Sequence, residues 1–190
     1  PAAVRETLRR LFLVMGSAAV TPLTRIMDTS KKSDVCSDAA LTLVALGPQI
    51  VNQLEAVLDD RTTRANTARY VLKALAELDA VQSTDLMVDH LRHPKAPVRD
   101  AALSALVKLH GNKAQHLAIR MVRDESPEVA RRAIRMLTRL NCRHPAYILR
   151  LLEVLGAVPA ERDPLSPDMP LQITAVAGLT AIGNIGMGEL

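Results

Sequence analysis

Apolar residues recur along the chain with helical spacing, in pairs of stretches separated by turns. The clearest stretch forms a stripe about 100° wide on a helical wheel and consists of Val98, Ala102, Leu103, Leu106 and Leu109. A turn at 110–112 follows, in which Gly111 suits the left-handed conformation that often ends a helix. A second apolar stretch covers 113–124. The pattern predicts two antiparallel helices joined by a short turn.

The pair of stretches repeats with a fixed period along the chain. A shift forward by 31 places Val129, Ile134, Leu137 and Leu140 on Val98, Leu103, Leu106 and Leu109. We predict first helices beginning near Val4, Cys36, Thr67, Val98, Val129 and Leu171, and second helices over 17–28, 48–59, 81–92, 113–124 and 145–155. A fixed period of this size indicates stacked units that bury their apolar faces on one another. No alternating run is long enough for a strand, so the predicted fold is all-α.

The spacing between the fifth and sixth first helices is longer than the others because of a Pro-rich insertion at 158–170. The four prolines of this insertion exclude a helix interior, so we predict an extended surface loop. The loop is either a contact segment or an insertion without a role. We predict one solenoid domain over 1–190 with about five and a half repeats. Apolar positions at both ends lead us to expect a fragment of a longer protein.

Three segments carry a family resemblance. They are the V-R-D-A-A-L-x-A-L pattern at 98–106, the Pro127-x-Val129-Ala130-Arg131-Arg132-Ala133 segment, and Ala19-Val20-x-Pro22-Leu23. The chain resembles the HEAT repeat in its short bacterial, HEAT-like or phycobilisome-lyase-like form. The resemblance implies a right-handed α-solenoid of antiparallel helix pairs, and it is specific for fold rather than activity.

The chain departs from the family pattern at the arginine of the V-R pair. The second, third, fifth and sixth copies carry Ser37, Ala68, Ala130 and Gln172 at this position. In the family, this arginine commonly pairs with an acidic residue of a neighbouring unit. Its loss removes a modest interaction, because exposed ion pairs contribute little.

Composition narrows the class of protein. The 190 residues are 48% hydrophobic with a net charge of +4. We find neither an unbroken apolar run of membrane-spanning length nor a signal peptide, and therefore expect no membrane insertion. Cys36 and Cys142 lie three repeats apart, which at helix packing distances is roughly 30 Å and beyond disulfide reach. Two ordinary thiols, with Cys36 in the core, predict a reducing compartment and a cytoplasmic protein.

The sequence gives no sign of catalysis or of a cofactor. It has no Gly-rich phosphate loop, metal-type CxxC pair or nucleophile elbow, so we predict no catalytic residue, cofactor or metal. His90 and His93, with Asp89 nearby, come closest to a metal group. His93 precedes Pro94, however, and a histidine at a helix end is the more usual explanation.

A basic stripe occupies the fifth first helix. No acidic residue lies between 131 and 152, and Arg131, Arg135, Arg139 and Arg143 follow at four-residue spacing on one helical face. Such a stripe can bind phosphate, so nucleic acid is a possible partner. The aromatic content of 2%, without tryptophan, is low for base stacking. In the family, first helices also usually form the convex face. A solvated or protein-contacting face is the alternative explanation.

Second helices line the concave surface if the family resemblance holds. The predicted partner groove consists of Asp85, Asp89, His116, Arg120, Arg123, Tyr147 and Arg150. Its acidic residues lie in the third copy and its basic residues in the fourth and fifth. A change of sign along a groove suits a charged protein segment. Tyrosine and arginine are also favoured as interface anchors. The alternative for Tyr147 is packing between helices.

These patterns lead to three functional hypotheses. The first is a non-catalytic scaffold that presents its concave groove to a protein partner. The second is nucleic-acid binding through the basic stripe. The third, implied only by the resemblance, is a bilin lyase-like subunit. The oligomeric state stays open.

Overall fold

The computed structural model describes residues 2–144, 146–148, 151, 175–176, 178–180 and 182. Within these residues the backbone forms helices and turns without any strand, which confirms the all-α prediction. The helices are α1 Ala2–Met15, α2 Val20–Thr29, α3 Ser33–Leu46, α4 Val51–Asp59, α5 Ala65–Glu77, α6 Thr84–Asp89, α7 Ala96–His110, α8 Gln115–Met121 and α9 Pro127–Arg139. The odd-numbered helices are the predicted first helices of five successive repeats.

The second helices α2, α4, α6 and α8 are shorter than the first helices, and each is directly preceded by a 3-10 turn. These turns span Gly16–Ala19, Pro48–Ile50, Val81–Ser83 and Gly111–Ala114. Helix α8 ends at Met121, before the predicted end at 124. Residues 146–148 and 151 of the predicted fifth second helix are helical, as are 175–176, 178–180 and 182 of the predicted sixth first helix. Leu171 and the Pro-rich insertion at 158–170 lie outside the described residues.

The chain divides into two compact units, Pro1–Leu109 and His110–Leu190. In the first unit α3 packs between α1 and α5, while the second helices α2 and α4 contact the first helix of the next repeat. In the second unit α8 packs against α9 in the same way. This stacking confirms the HEAT-like helical repeat solenoid fold. The expectation that 1–190 forms one domain remains a prediction.

The repeat register is visible in the core. Leu72 and Leu75 of α5, their equivalents Leu103 and Leu106 of α7, and Ile134 and Leu137 of α9 are all buried. Helix ends follow the same register, because Asp79 and Asn141 lie two periods apart and both have a positive φ. After each, a backbone N–H reaches back to a carbonyl of the preceding helix at 3.0 Å. Gly111, with φ of +51°, ends α7 as predicted.

The arginines of the V-R pairs have two different environments. Arg5 of α1 contacts Asp34 at 2.6 Å and Asp38 at 3.0 Å on α3, the neighbouring-unit pairing that the resemblance implies. Arg99 of α7 is only 5% exposed and donates to the carbonyls of His93 at 2.8 Å and Pro94 at 3.2 Å. The second arrangement ties the turn before α7 to the helix. Arg99 is therefore buried against the turn before its own helix, whereas Arg5 is exposed.

Two expectations about compartment meet different outcomes. Cys36 and Cys142 are both buried free thiols, so the core position of Cys36 is confirmed. The expectation of no membrane insertion stays a prediction. Residues Arg5–Thr29 are long and apolar enough to cross a membrane, by length and composition alone. Buried core helices and signal sequences share these properties, and Ser33–Leu46 with Pro48–Asp59 has them only as a pair bent by 105°.

Candidate interaction surfaces

The acidic part of the predicted partner groove lies on α6. Asp85 and Asp89 are one helical turn apart and both are exposed, while Met87 between them is fully buried. Asp85 occupies the first turn of the helix, where a carboxylate interacts favourably with the helix dipole. Both side chains are therefore placed where a partner can reach them.

A groove of about 560 Å³ lies between the second helices α2 and α4 and the turn before α5. It is lined by Ser17, Ala18, Val20, Thr21, Thr24, Asp28, Gln53, Ala56, Val57, Asp60, Thr63 and Thr67, with no lysine or arginine among them. The Thr67 hydroxyl donates to the Asp28 carboxylate. Hydrogen bonds from the Thr62 backbone N–H and hydroxyl, each 2.8 Å long, lower the pKa of Asp60. The groove is thus polar, with two carboxylates in its wall.

The basic part of the predicted partner groove lies at the second helix of the next repeat. His116 and Arg120 are exposed on α8, and His116 Nδ1 lies 3.0 Å from the Lys113 carbonyl oxygen. Arg123 is exposed in the turn after α8 rather than on the helix, because α8 ends at Met121. These residues belong to the second unit, whereas Asp85 and Asp89 belong to the first. The change of sign along one groove therefore stays a prediction.

Tyr147 is not a surface anchor. Its side chain is fully buried, and its hydroxyl contacts the Thr138 hydroxyl at 3.1 Å and donates to the Ile134 carbonyl at 3.3 Å. Burial raises the pKa of Tyr147. The prediction that Tyr147 faces a partner is wrong, and the alternative of packing between helices is correct. Arg150 of the same predicted groove lies outside the described residues.

The basic stripe of α9 is shorter than predicted. Arg135 and Arg139 are exposed, and Arg131 is half-buried with its Nε donating to the Pro127 carbonyl at 3.2 Å. Arg143 does not continue the stripe, because α9 ends at Arg139 and the chain turns at Asn141, with φ of +49°. The prediction of four arginines on one helical face is therefore corrected to three.

One and two periods before the basic stripe, the equivalent basic residues of the first unit are Lys108, Arg69 and Lys73. These side chains are largely occupied by contacts within that unit. Lys108 of α7 forms an ion pair with Glu77 of α5. The Arg69 guanidinium lies 4.7 Å from the centre of the Tyr70 ring, and the Lys73 ammonium lies 5.5 Å from it. These cation–π contacts hold both cations against the helix. Phosphate binding across this column would have to compete with them.

His90 and His93 are engaged with backbone groups. Their rings stack with centres 6.2 Å apart, His90 Nδ1 lies 2.8 Å from the Leu86 carbonyl oxygen, and His93 Nδ1 accepts from the Lys95 N–H at 3.0 Å. His93 directly follows the 3-10 turn His90–Arg92, as the helix-end explanation predicts. Burial lowers the pKa of His93. Within the described part of the chain no three potential ligands come together as a metal site.

No protein-family model and no curated protein sequence matches the chain. Several solved structures are similar to it. One is the complex of CpcE and CpcF of phycocyanin lyase from Nostoc sp. PCC7120, at 19% identity and a TM-score of 0.43, covering 95% of this chain and 73% of that chain. An engineered protein is 18% identical with a TM-score of 0.43, covering 93% of this chain and 89% of that chain. A designed armadillo repeat protein is 18% identical with a TM-score of 0.45 and coverage of 87% and 82%.

Proposed function

We propose that the chain is a non-catalytic scaffold whose second helices form a concave surface for a protein partner. The proposal is supported above all by the exposed charges of the second-helix segments. Asp85 and Asp89 are exposed on α6, and Arg120 and Arg123 are exposed on and just after α8. Charged side chains that stand free of the core give an interface its orientation and specificity.

Charge and composition favour a protein over a nucleic acid at this surface. The groove between α2 and α4 has Asp28 and Asp60 in its wall and no cationic side chain, so a phosphate backbone would be repelled there. Aromatic residues make up 2% of the chain, too few for a row of stacked bases. A polypeptide can instead supply cationic side chains to the acidic residues of α6, or carboxylates to the exposed arginines on and after α8.

Charge reversal tests this surface. Asp85→Lys with Asp89→Lys, and separately Arg120→Glu with Arg123→Glu, should weaken capture of the protein partner without unfolding the chain. A matched control is Arg135→Glu with Arg139→Glu, which makes the same change of charge as the Arg120 and Arg123 variant but on a first helix. The proposal predicts that capture survives the control and is lost in both second-helix variants. Unchanged capture in those variants would show that the second helices are not the binding surface.

Nucleic-acid binding through α9 is the second candidate function. One observation favours it: Arg135 and Arg139 are exposed, and neither forms an ion pair within the described residues. Fluorescence anisotropy with labelled duplex and single-stranded oligonucleotides at about 50 and 200 mM salt tests it. This candidate predicts binding that falls roughly fortyfold between the two salt concentrations, since three arginines neutralise about three phosphates, and that is lost in Arg135→Ala with Arg139→Ala. Unchanged affinity in that variant would remove it.

The bilin lyase-like alternative rests on the resemblance of the repeat alone. Bilin transfer with a candidate partner subunit would establish it, and the lack of transfer would end it. We also propose a cytoplasmic location, since a reducing compartment suits the buried free thiols Cys36 and Cys142. We further propose that 1–190 behaves as one domain. A single cooperative unfolding transition followed by two probes would support this.

A further inference from the structure

The turns that precede α3, α5, α7 and α9 share one type of hydrogen bond. In each turn a side chain accepts from the backbone N–H two residues further on. The acceptor is the Ser30 hydroxyl before α3, the Asp60 carboxylate before α5 and the Asp124 carboxylate before α9, at 3.2, 2.8 and 2.8 Å. Before α7 the acceptor is Nδ1 of His93, which lies 3.0 Å from the backbone nitrogen of Lys95. An imidazole therefore stands where the other three turns use a hydroxyl or a carboxylate.

The bond between His93 and Lys95 exists only while the His93 ring is neutral. A backbone N–H can only donate, so Nδ1 of His93 carries a lone pair and the ring proton lies on Nε2. Protonation places a second N–H on Nδ1, directly opposite the Lys95 N–H, and the bond is lost. By contrast, Nδ1 of His90 and Nδ1 of His116 face backbone carbonyls at 2.8 and 3.0 Å. Both of these nitrogens donate, so protonation preserves their contacts.

The turn before α7 is the point at which the fourth repeat follows the third. The Lys95 carbonyl accepts backbone hydrogen bonds from the first turn of α7, from Val98 at 3.0 Å and Arg99 at 3.3 Å. The carbonyls of His93 and Pro94 accept from the buried Arg99 guanidinium. The bond from the Lys95 N–H to the His93 ring completes this network. Its loss therefore frees the turn at the residue from which α7 starts.

The surroundings of the His93 ring disfavour a positive charge on it. Burial has the largest effect and lowers the pKa of His93 from its usual value near 6.5, and the cations His90, Arg99 and Lys95 act in the same direction. His90 stacks on the ring from the 3-10 turn, with centres 6.2 Å apart and planes 5° from parallel. The other charged side chains of α6, this 3-10 turn and the start of α7 are Asp85, Asp89, Arg92 and Asp100. At neutral pH the ring is therefore neutral and its bond to Lys95 is formed.

We propose that the contact of the His93 ring with the Lys95 N–H is a proton-sensitive switch, which opens in acid and loosens the first turn of α7. The stabilisation that this contact supplies is full above about pH 6.5 and is lost as the pH falls through the lowered pKa of His93. The equivalent turn before α5 does not respond in this range. Hydrogen bonds from Thr62 lower the pKa of Asp60, so its carboxylate stays ionised there.

Nitrogen-15 NMR of the unsubstituted chain, titrated from about pH 8 to 5, tests the proposal. The neutral His93 ring should carry its proton on Nε2, and the Lys95 amide signal should shift with the midpoint of the His93 titration. The hydrogen exchange of this amide, relative to an unstructured amide at the same pH, should become roughly tenfold faster, as expected for one lost hydrogen bond. The Thr62 amide is the internal control and should keep its protection. A proton on Nδ1 of neutral His93, or a Lys95 amide that ignores the titration, would overturn the proposal.

A substitution that keeps the acceptor separates the hydrogen bond from its titration. His93→Asn offers the Lys95 N–H an amide oxygen that does not titrate, so the response of the Lys95 amide to acid should disappear and the loss of stability between about pH 7 and 5 should shrink. The matched control is His116→Asn, because the His116 contact survives protonation, and it should behave like the parent chain. His144 accepts from the Ala146 N–H at 3.1 Å and is present in both variants, so its contribution cancels in the comparison. The same pH response in His93→Asn and His116→Asn would refute the switch.

Discussion

Replacing Arg99 by methionine should destabilise the chain far more than the same replacement of an exposed arginine. Arg99 is 5% exposed, and its Nη1 donates to the carbonyls of His93 and Pro94 in the turn before α7. The methionine keeps an apolar stem of similar length, so most of the packing around the side chain is preserved. The variant therefore isolates the hydrogen bonds of the guanidinium.

The expected loss follows from these contacts. A hydrogen bond from a charged donor contributes roughly 1.5–3 kcal/mol, and a buried carbonyl left without a donor is costly in its own right. The Pro94 bond is the longer one, at 3.2 Å, and Pro94 is exposed, so water can replace that donor. We therefore expect Arg99→Met to lower the free energy of unfolding by about 2–4 kcal/mol.

Urea denaturation followed by far-UV circular dichroism measures this loss, and hydrogen exchange of the amides at positions 98 and 99, which donate to the Lys95 carbonyl, localises it. The matched control is Arg5→Met, because Arg5 occupies the equivalent V-R position but is exposed, with its ion pairs screened by water. We expect a much smaller effect there. Equal effects of the two substitutions, or a loss below about 1 kcal/mol for Arg99→Met, would refute the reasoning.

Substitutions at three further positions test other parts of the structure. Tyr147→Ala should lower the free energy of unfolding by about 3–5 kcal/mol, as expected for a buried aromatic residue, and Tyr147→Phe by only about 1 kcal/mol; denaturation distinguishes them. Gly111→Ala should cost about 1 kcal/mol, from its positive φ alone, since no atom lies within 4 Å of the added Cβ. Hydrogen bonds from Thr62 lower the pKa of Asp60, so their stabilisation is full above about pH 3.9 and is lost as the pH falls through the lowered pKa. The stability difference between Asp60→Asn and the parent chain should therefore shrink in acid titrations.

The helices and their stacking could be predicted from the sequence because the signals are local and periodic. The stripe through Leu103 and Leu106 repeats at Leu72 and Leu75 with the same spacing, and all four side chains are buried. Gly111 marked a helix end through its own conformational freedom. Spacing of this kind depends on helical geometry alone, so it can be recognised in the sequence without any knowledge of tertiary contacts.

The environments of single side chains could not be predicted in the same way. Tyr147 has an apolar ring and a polar hydroxyl, so the residue type suits a surface and a core equally. It is buried because Thr138 and Ile134 supply hydrogen-bond partners for its hydroxyl, and these contacts are visible only in the structure. Arg143 continues the four-residue spacing of the stripe, although α9 ends before it. The only sequence signal for this end was Asn141, because asparagine tolerates the left-handed conformation. The groove between α2 and α4 joins residues far apart in the chain, from Ser17 to Thr67, which no local pattern reveals.

The central claim is that second helices, rather than first helices, bind a protein partner. Site-specific photo-cross-linking tests it most directly, with the reactive group placed at Asp89 or Arg120 on second helices, or at Lys73 or Arg135 on first helices; all four are exposed. The account predicts a cross-linked partner from Asp89 and Arg120 that disappears when the neighbouring Asp85 or Arg123 is charge-reversed. The same partner captured from Lys73 and Arg135, and not from the second helices, would contradict it.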